Sequence, residues 1–266
     1  MKKIIALVLA ALMCALCFAG CQKTDNVLTC GVTIFENMNE QNEDGTWTGF
    51  ETEFAQEVGK LIGMEVEFQI IDWGQKYNEL NSGAIDCVWN GFTANSTDKI
   101  NDVETKRSDL VDFSYGYMLN QQCIVVKADA LENYKSEADL AGKKTCVESG
   151  SAGASYAAGV TDEDKIFSTT AQINAFTEVK SGAVDFAVVD IILAKNICGK
   201  GDYADLAIVE AIELDSEIYA VGFKKGSDLT AKVNEAIKTL NENGKLMELA
   251  EKYGFENVLS VTETIE

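Results

Sequence analysis

Two stretches of the sequence, Ser82–Gly91 (SGAIDCVWNG) and Ser181–Asp190 (SGAVDFAVVD), carry almost the same pattern. In each stretch a Ser-Gly pair precedes a short apolar run. Glycine at this place suits a left-handed helix C-cap, and the segment before each pair can form an amphipathic helix. Both runs are too apolar to alternate polar and apolar residues, which is typical of parallel strands buried on both faces. The pattern predicts one helix–turn–strand unit that occurs twice.

A second pair of similar segments extends this repeat. Val27–Val32 (VLTCGV) resembles Lys143–Glu148 (KKTCVE), and each segment reads as a strand followed by a loop and a helix. The helix is predicted over Gly49–Met64 in the first half, and it follows the short loop Ser149–Gly153 in the second half. A solenoid would need a shorter period and more copies. The sequence therefore predicts two α/β lobes with similar connections.

The strand ends of the repeat predict where a ligand binds. In an open parallel sheet, ligands bind beyond the carboxyl ends of the strands. Two lobes can face these ends across one cleft. The repeated segments then place Asn90 and Gly91 on one wall of the cleft and Asp190 on the other.

Composition and charge exclude several classes of function. The 266-residue chain has a formal net charge of -21, so its surface repels nucleic acid, and charge alone would not hold it on an anionic membrane. It contains no histidine. Catalytic Ser-His and Cys-His pairs are therefore excluded, and the commonest metal ligand is missing.

The N-terminus has the features of an export signal. Lys2 and Lys3 precede the apolar run Ile4–Gly20, which ends in the segment FAGC. A cysteine after small residues resembles the lipobox of bacterial lipoproteins, with Phe18 where that motif usually has Leu. The resemblance implies a signal peptide over residues 1–20, an acylated Cys21 as the first mature residue, and a lipidated tether over residues 21–26. An uncleaved membrane anchor and ordinary signal cleavage are the alternatives.

The cysteines predict buried thiols rather than a metal site. Cys14 and Cys17 lie in the signal, and five cysteines remain after Cys21. Those in apolar strand-like runs are expected to behave as small buried hydrophobes, although a bridge between Cys30 and Cys87 stays open. No Cys-x-x-Cys spacing occurs, so no zinc site is expected. The five are Cys30, Cys87, Cys123, Cys146 and Cys198.

At this point the chain resembles the polar amino-acid-binding proteins of ABC importers, an extracellular solute-binding family that includes the histidine and glutamine binders. The resemblance covers nearly all of the mature chain, and the matching segments occur in the order of the family. Besides the lipoprotein start, these segments are GVTIFENMNE with DGTWTGFETEFAQEVGKLIG, SGAIDCVWNGFTAN, KRSDLVDFSYGY, GKKTCVESGSAGASYA, SGAVDFAVVD and KVNEAIKTLNENGKLMELAEKYG.

The resemblance implies a type II periplasmic-binding-protein-like fold, in which two α/β lobes are joined by two crossover strands. Residues 27–117 are then the first part of lobe one, residues 118–218 are lobe two, and residues 219–266 return to lobe one. The crossovers fall near YGYMLNQ and SEIYAV.

The family also suggests how the carboxylate of an amino acid is held. A carboxylate suits a bidentate arginine, and the family places this arginine shortly before DFS. Arg107, the one arginine of the chain, stands at the matching distance, although the segment STDKINDVETK is inserted before it. A surface arginine, with Lys99 as the substitute, is the alternative. Ser151 and Ala152 offer an anion nest at a helix N-terminus, unless Ser151 is an ordinary N-cap.

The ammonium group of the ligand would meet acceptors from both lobes. In the family, carbonyl groups like those of Asn90 and Gly91 accept from the ammonium, and Thr93 lies beside them. Asp190 matches the aspartate that pairs with the ammonium. Because desolvating such a pair is costly, further hydrogen bonds must accompany it. The alternative is that Asp190 caps the helix IILAKNI.

The side chain of the ligand would lie against aromatic and acidic residues. Phe35 and Trp73 match rings that line the family's pocket, with core packing as the alternative. Glu148 stands where a relative has lysine, so a cationic side chain could be received there, and Glu36 could contribute. Arginine, lysine or a polar neutral ligand is therefore expected, and acidic ligands are disfavoured. Either glutamate could instead be a solvated charge.

The resemblance predicts capture without chemistry. One free polar amino acid would bridge both lobes and favour the closed form, which would deliver it to an ABC permease with its ATPase. The protein would be a monomer, anchored through lipid on Cys21 to the outer face of the cytoplasmic membrane. No enzyme activity, cofactor, metal or nucleic acid is expected.

Two other classes of function stay open. A dehydratase-like enzyme could use Glu36 or Glu148 for proton transfer on a small carboxylate. A ligand-binding subunit of a sensor would need a partner receptor, since the chain ends at SVTETIE without a further domain or span.

Overall fold

The computed structural model describes residues 26–265 of the chain. The predicted signal peptide (1–20), most of the tether (21–26) and the lipidation of Cys21 lie outside the described residues. Strands are β1 (Val27–Val32), β2 (Glu40–Gln41), β3 (Trp47–Thr48), β4 (Glu65–Ile70), β5 (Cys87–Val88), β6 (Thr97–Ile100), β7 (Val103–Lys106), β8 (Asp112–Lys127), β9 (Thr145–Glu148), β10 (Ile166–Thr169), β11 (Phe186–Asp190), β12 (Leu206–Ile208), β13 (Ser216–Phe223) and β14 (Leu259–Thr262).

The helices occur between these strands. They are α1 (Phe50–Ile62), α2 (Lys76–Ser82), α3 (Arg107–Leu110), α4 (Ala152–Val160), α5 (Gln172–Ser181), α6 (Ile191–Ile197), α7 (Leu229–Glu242) and α8 (Lys245–Tyr253). The two helices of the repeat, α2 and α5, end at Gly83 and Gly182, each with φ of +78°. This φ is left-handed backbone, which glycine adopts without the strain that a side chain would cause. The predicted left-handed caps are therefore confirmed.

A single curled sheet runs through both lobes in the order β10-β9-β11-β8-β13-β5-β1-β4. We call the part around β1, β4 and β5 the first lobe, and the part around β9–β12 the second lobe. The long strands β8 and β13 lie between them and pair antiparallel with each other. This is the two-lobed type II fold that the resemblance implies, while the exact residue bounds of the lobes stay a prediction.

The repeated strands β5 and β11 occupy equivalent places beside the crossover strands. β5 pairs parallel with β1 and antiparallel with β13. β11 pairs parallel with β9 and antiparallel with β8. The expectation of parallel neighbours therefore holds on one side of each strand, because the other side faces a strand that returns between the lobes.

The segment inserted before Arg107 forms a hairpin outside the main sheet. Strands β6 and β7 pair only with each other within residues 26–265. Asn101 and Asp102 make the turn with φ of +50° and +65°, which is the geometry of a type I′ hairpin turn. The hairpin belongs to the first lobe and contacts α4 of the second lobe, where Ser155 Oγ donates to the Thr97 carbonyl at 3.0 Å.

The predicted burial of the cysteines is confirmed for the four in apolar runs, whereas Cys198 is half-buried. The Cys30 and Cys87 Sγ atoms lie 3.5 Å apart in adjacent strands, which is a thiol contact rather than a covalent bridge. In the described part of the chain, no helix is long and apolar enough to cross a membrane. The same part holds no group of three or more Cys, Asp or Glu residues placed to bind a metal ion.

Candidate functional site

Most of the residues predicted from the sequence line one pocket between the lobes. Its centre encloses about 10 Å³, close to the room that one water molecule needs. The first lobe and the crossover strand β8 contribute Trp73, Asn90, Gly91, Thr93, Arg107 and Gln122, and the second lobe contributes Glu148, Ser151, Ala152, Gln172 and Asp190. Because this space is so small, an amino acid could enter only after the lobes separate.

Two predicted residues lie outside this lining. Phe35 is buried, and its ring lies beside Gly91, where an added Cβ would be 3.3 Å from the ring. Gly91 has φ of +59°, and the Tyr219 ring lies within 3.0 Å of the same Cβ position, so only glycine fits there. Glu36 is exposed, which is the arrangement of a solvated charge.

Arg107 lies at the start of α3 and is buried beside the pocket. Its Nε and Nη2 atoms donate to the same oxygen of Asp98, at 3.0 and 2.9 Å. Nη1 donates to the Thr93 carbonyl at 3.0 Å, and Nη2 also donates to the Gly150 carbonyl at 3.2 Å. The arginine is therefore not a surface residue, although the insertion precedes it. Lys99, the substitute, is exposed and pairs with Asp102 at 3.4 Å.

Sequence reasoning missed the buried lysine beside Arg107. Lys76 opens α2, and its Nζ donates to the Gly150 carbonyl at 2.8 Å and lies 3.5 Å from Asp98. Burial lowers its pKa to about 8, with the charge of Arg107 acting in the same direction. Burial alone would raise the pKa of Asp98, but the two neighbouring cations outweigh it and hold this pKa below its usual range.

Asp190 ends β11 and is buried on the opposite wall. Its Oδ1 accepts from the side-chain amides of Asn120 and Gln122, each at 2.6 Å, and its Oδ2 accepts from Gln172. The side chain makes no capping hydrogen bond to α6. Burial raises the pKa of Asp190 despite these donors. The carboxyl group is therefore oriented by amides and has no cation among its hydrogen-bond donors in the described structure.

A second carboxyl group shares these amides. Glu217 lies on β13, and its Oε2 accepts from Asn120 at 2.7 Å and from Gln122 at 3.0 Å. Burial and the charge of Asp190 raise the pKa of Glu217 to about 7. Asn120, Gln122 and Glu217 were missed because each lies in a short run of polar residues, which reads as a solvated segment.

Glu148 ends β9 and is buried, so it is not a solvated charge. Burial, and then the charge of Asp190, raise its pKa to about 8, against the opposing effect of Lys76. Its Oε1 has no hydrogen-bond partner among residues 26–265. A buried polar atom without a partner is costly, and a ligand that donates a hydrogen bond there would remove that cost.

Glu51 is a further buried carboxyl group that sequence reasoning missed. It lies in the first turn of α1 and accepts from the Gly91 amide at 2.8 Å and from the Tyr117 hydroxyl. Burial raises its pKa to about 7. These contacts fix the loop after β5, where the carbonyl group of Gly91 lies next to the pocket.

The remaining polar residues of the pocket are held by local hydrogen bonds. Ser151 caps α4, because its Oγ accepts from the Ala154 amide at 3.0 Å, and it lines the pocket at the same time. The Asn90 amide group bonds the Thr33 backbone and the Asn39 side chain. Asn90 therefore positions the end of β1, and its side chain is not free for a ligand.

Trp73 contributes to both the core and the pocket. It is buried, and its ring packs edge-on against Phe92 with centroids 5.4 Å apart. The Lys76 Nζ lies 5.3 Å from the centre of the Trp73 ring. The ring thus forms an apolar surface of the pocket that also shields the buried ammonium.

Comparisons with known proteins agree with this architecture. The family model of the bacterial extracellular solute-binding proteins, family 3, matches residues 28–257. The arginine-binding extracellular protein ArtP of Bacillus subtilis (strain 168) is 28% identical over 95% of this chain and 98% of its own length. The L-cystine-binding protein TcyA of the same organism is 29% identical over 89% and 84%.

Solved structures show the same similarity. An ancestral arginine-binding protein bound to arginine superimposes with a TM-score of 0.75 and 30% identity, over 86% of this chain and 98% of that chain. The fold is thus that of solved amino-acid-binding proteins.

Proposed function

Because the chain belongs to the bacterial extracellular solute-binding proteins, family 3, we propose that it captures a free polar amino acid, preferably one with a cationic side chain. The observation that carries this proposal is the opposition of charges across one pocket. Arg107 lines the pocket from the first lobe, whereas Asp190, Glu148 and the N-terminus of α4 line it from the second lobe. An amino acid carries the complementary groups.

The α-carboxylate would bind at the N-terminus of α4. Ser151 and Ala152, at the N-terminus of α4, line the pocket, and a helix N-terminus favours an anion. A guanidinium has five N–H groups, and the four contacts of Arg107 leave one of them for the ligand. The carboxylate is therefore held by one arginine donor and by backbone amides, rather than by a free bidentate fork.

The α-ammonium would bind Asp190, with the Gly91 carbonyl and Thr93 as further acceptors. Asn120, Gln122 and Gln172 fix the orientation of the Asp190 carboxyl group before the ligand arrives. Preorganised partners reduce the ordering cost of binding. Because these groups come from both lobes, the ligand contacts the closed form more extensively than the open form and shifts the equilibrium towards it.

A cationic side chain would bind Glu148, beside the Trp73 ring. The unpaired Oε1 of Glu148 is the acceptor, and the cation would return the raised pKa of this carboxyl group towards its ordinary value. Binding of arginine or lysine would therefore release a proton near neutral pH. The name of one relative, a cystine binder, keeps polar neutral ligands within the proposal.

The proposed protein is a monomer anchored through lipid on Cys21. It would deliver the amino acid to a permease with its ATPase. The FAGC segment supports lipid attachment. Labelling with a fatty-acid analogue should mark the wild type in a bacterial host and should not mark Cys21→Ser. Equal labelling of both proteins would contradict the anchor.

A panel of the twenty amino acids tests the ligand class. The protein is produced from Gln22 onwards, unfolded and refolded to remove bound ligand, and followed by thermal unfolding. A ligand at about 1000 times its Kd adds roughly 4 kcal/mol to the free energy of unfolding. We expect the largest shifts with arginine, lysine or histidine. A panel without any shift, or with glutamate and aspartate first, would contradict the proposal.

The raised pKa of Glu148 also supports a second candidate function, a dehydratase-like enzyme that acts on a small carboxylate. A carboxyl group that is protonated near neutral pH can donate a proton to a small carboxylate substrate. Turnover of prephenate or arogenate by the purified wild type, and its loss in Glu148→Gln, would support this candidate. A lack of turnover together with amino-acid binding would leave capture as the function.

A further inference from the structure

The hairpin β6–β7 brings one buried carboxylate to two buried cations. Asp98 accepts from Nε and Nη2 of Arg107 through Oδ1, while its Oδ2 accepts from the Tyr77 hydroxyl at 2.6 Å and lies 3.5 Å from Lys76 Nζ. We call Lys76, Asp98 and Arg107 the cation cluster. All three side chains are buried, so water screens their charges weakly.

The cation cluster lies where the lobes touch. Lys76 and Arg107 both donate to the Gly150 carbonyl, in the loop that leads to α4 of the second lobe. An added Cβ on Gly150 would be 3.2 Å from both the Lys76 Nζ and the Gly74 Cα. The cation cluster therefore contacts the loop that holds Ser151 and Ala152 directly, and its field would act on a ligand in the closed form.

Asp98 also determines how many charges the ligand meets. With both cations protonated, the cluster carries a net charge of +1, since two cations face one carboxylate. Lys76 remains mostly protonated at pH 7 because its pKa is about 8. Without Asp98 the net charge would rise to +2 only at a pH low enough to keep Lys76 protonated, because Asp98 raises the pKa of Lys76, and the edge of Arg107 formed by Nε and Nη2 would be open to a carboxylate.

We propose that Asp98 is a specificity-determining residue, which limits the net charge of the cation cluster and thereby directs the pocket towards ligands with cationic side chains. The inference rests on the proposed function and deepens it. The opposite wall presents Glu148 and Asp190, which attract cations. Because Asp98 offsets one of the two positive charges of the cation cluster, the first lobe repels a cationic side chain less strongly. It acts through Lys76 and Arg107 and does not line the pocket itself.

The test varies the charge of the cluster at nearly constant shape. Lys76→Met gives a net charge of 0, the wild type and the double variant Lys76→Met/Asp98→Asn give +1, and Asp98→Asn gives +2. Calorimetry at pH 7 and at pH 5.5 measures Kd for L-arginine and for L-citrulline, its neutral counterpart of similar shape, and the lower pH keeps Lys76 charged when Asp98, which raises its pKa, is replaced. The ratio of the two Kd values reports selectivity for side-chain charge, and a general loss of folding or closure changes both values together.

We expect the preference for arginine to follow the charge of the cluster. At pH 5.5 it should be strongest in Lys76→Met, equal in the wild type and the double variant, and weakest in Asp98→Asn, with about tenfold between successive charges. Asp102→Asn is the matched control, because it removes a carboxylate from the exposed turn of the same hairpin. Its ratio should equal that of the wild type, since solvent screens this charge.

The outcomes separate this inference from the proposed function. A wild type that binds neither ligand contradicts the proposed function and overturns the inference with it. Binding with one common ratio in all variants leaves capture intact and shows that Asp98 is only structural. If Asp98→Asn does not fold, Lys76→Met and the wild type still decide, since their ratios must differ by the same tenfold step.

Discussion

The two sides of the pocket differ in how their buried charged groups are paired. On the first-lobe side, Lys76 and Arg107 share Asp98, so each cation has a carboxylate within the protein. On the opposite side, Asp190 and Glu217 are held by neutral amides, and Glu148 keeps an oxygen without a partner. The first side is electrostatically complete, whereas the second is complete only when a cationic group binds. The difference is consistent with a second side that would bind the cationic groups of a ligand, and with a first side whose net charge would set how strongly such groups are repelled.

Among the variants, removal of Asp190 should weaken ligand binding most strongly. We expect Asp190→Ala to weaken arginine binding by about 1000-fold, because a buried ammonium would lose its carboxylate partner. The empty protein should keep its fold and gain stability, since a desolvated carboxyl group with a raised pKa is removed. Calorimetry and thermal unfolding measure the two effects. Asp164→Asn, an exposed carboxylate of the second lobe, is the control, and equal affinity of both variants would contradict the site.

Removal of Arg107 should have a smaller effect on binding and a larger effect on the fold. Arg107→Ala should weaken arginine binding by about 100-fold, since backbone amides at α4 still hold the carboxylate. Asp98 would lose its closest cation, so the thermal midpoint of the empty protein should fall. The reverse pattern, with binding lost and stability unchanged, would indicate an Arg107 that serves the ligand alone.

Replacement of Glu148 should change the selectivity between charged and neutral ligands without a general loss of binding. We expect Glu148→Gln to weaken arginine binding by about tenfold and to leave citrulline binding nearly unchanged, because only the cation needs the carboxylate. Calorimetry in buffers of different ionisation enthalpy should also show proton release with arginine in the wild type and less in the variant. A variant that weakens both ligands equally would place Glu148 outside the side-chain site.

The smallest expected effect is the change that Glu148→Gln causes in the thermal stability of the empty protein. A carboxyl group whose pKa rises from 4.5 to about 8 on folding contributes its stability fully below pH 4.5, and this contribution is lost as the pH rises towards 8. Glu148→Gln should therefore have a thermal midpoint about 2–4 °C above that of the wild type at pH 8, and a smaller difference at pH 5. An equal difference at both pH values would contradict the buried state of Glu148.

Local pattern was sufficient for much of the fold. The Ser-Gly pairs ended α2 and α5 as predicted, because a left-handed cap depends on glycine at one position. The same pattern located Asp190 at a strand end, and the family resemblance added Arg107. These features depend on short segments, so the sequence carries them directly.

The partners of these residues could not be predicted, because they come from distant segments. Asp98 reaches Arg107 through a hairpin whose turn was not recognised, and Lys76 begins a helix where lysine normally faces solvent. Glu217 approaches Asp190 only because β13 returns between the lobes. Burial of such charges is stable only in pairs or among amides, and tertiary structure alone brings these together.

The small space at the centre of the pocket, about 10 Å³, has a kinetic consequence. An amino acid would not fit into this space until the lobes, which touch at Gly74 and Gly150, have separated. Its dissociation rate therefore cannot exceed the rate at which β8 and β13 bend and the lobes part. Ligands of different affinity would then share one upper limit for release, and the residence time of the weakest ligand would report the opening rate of the protein itself.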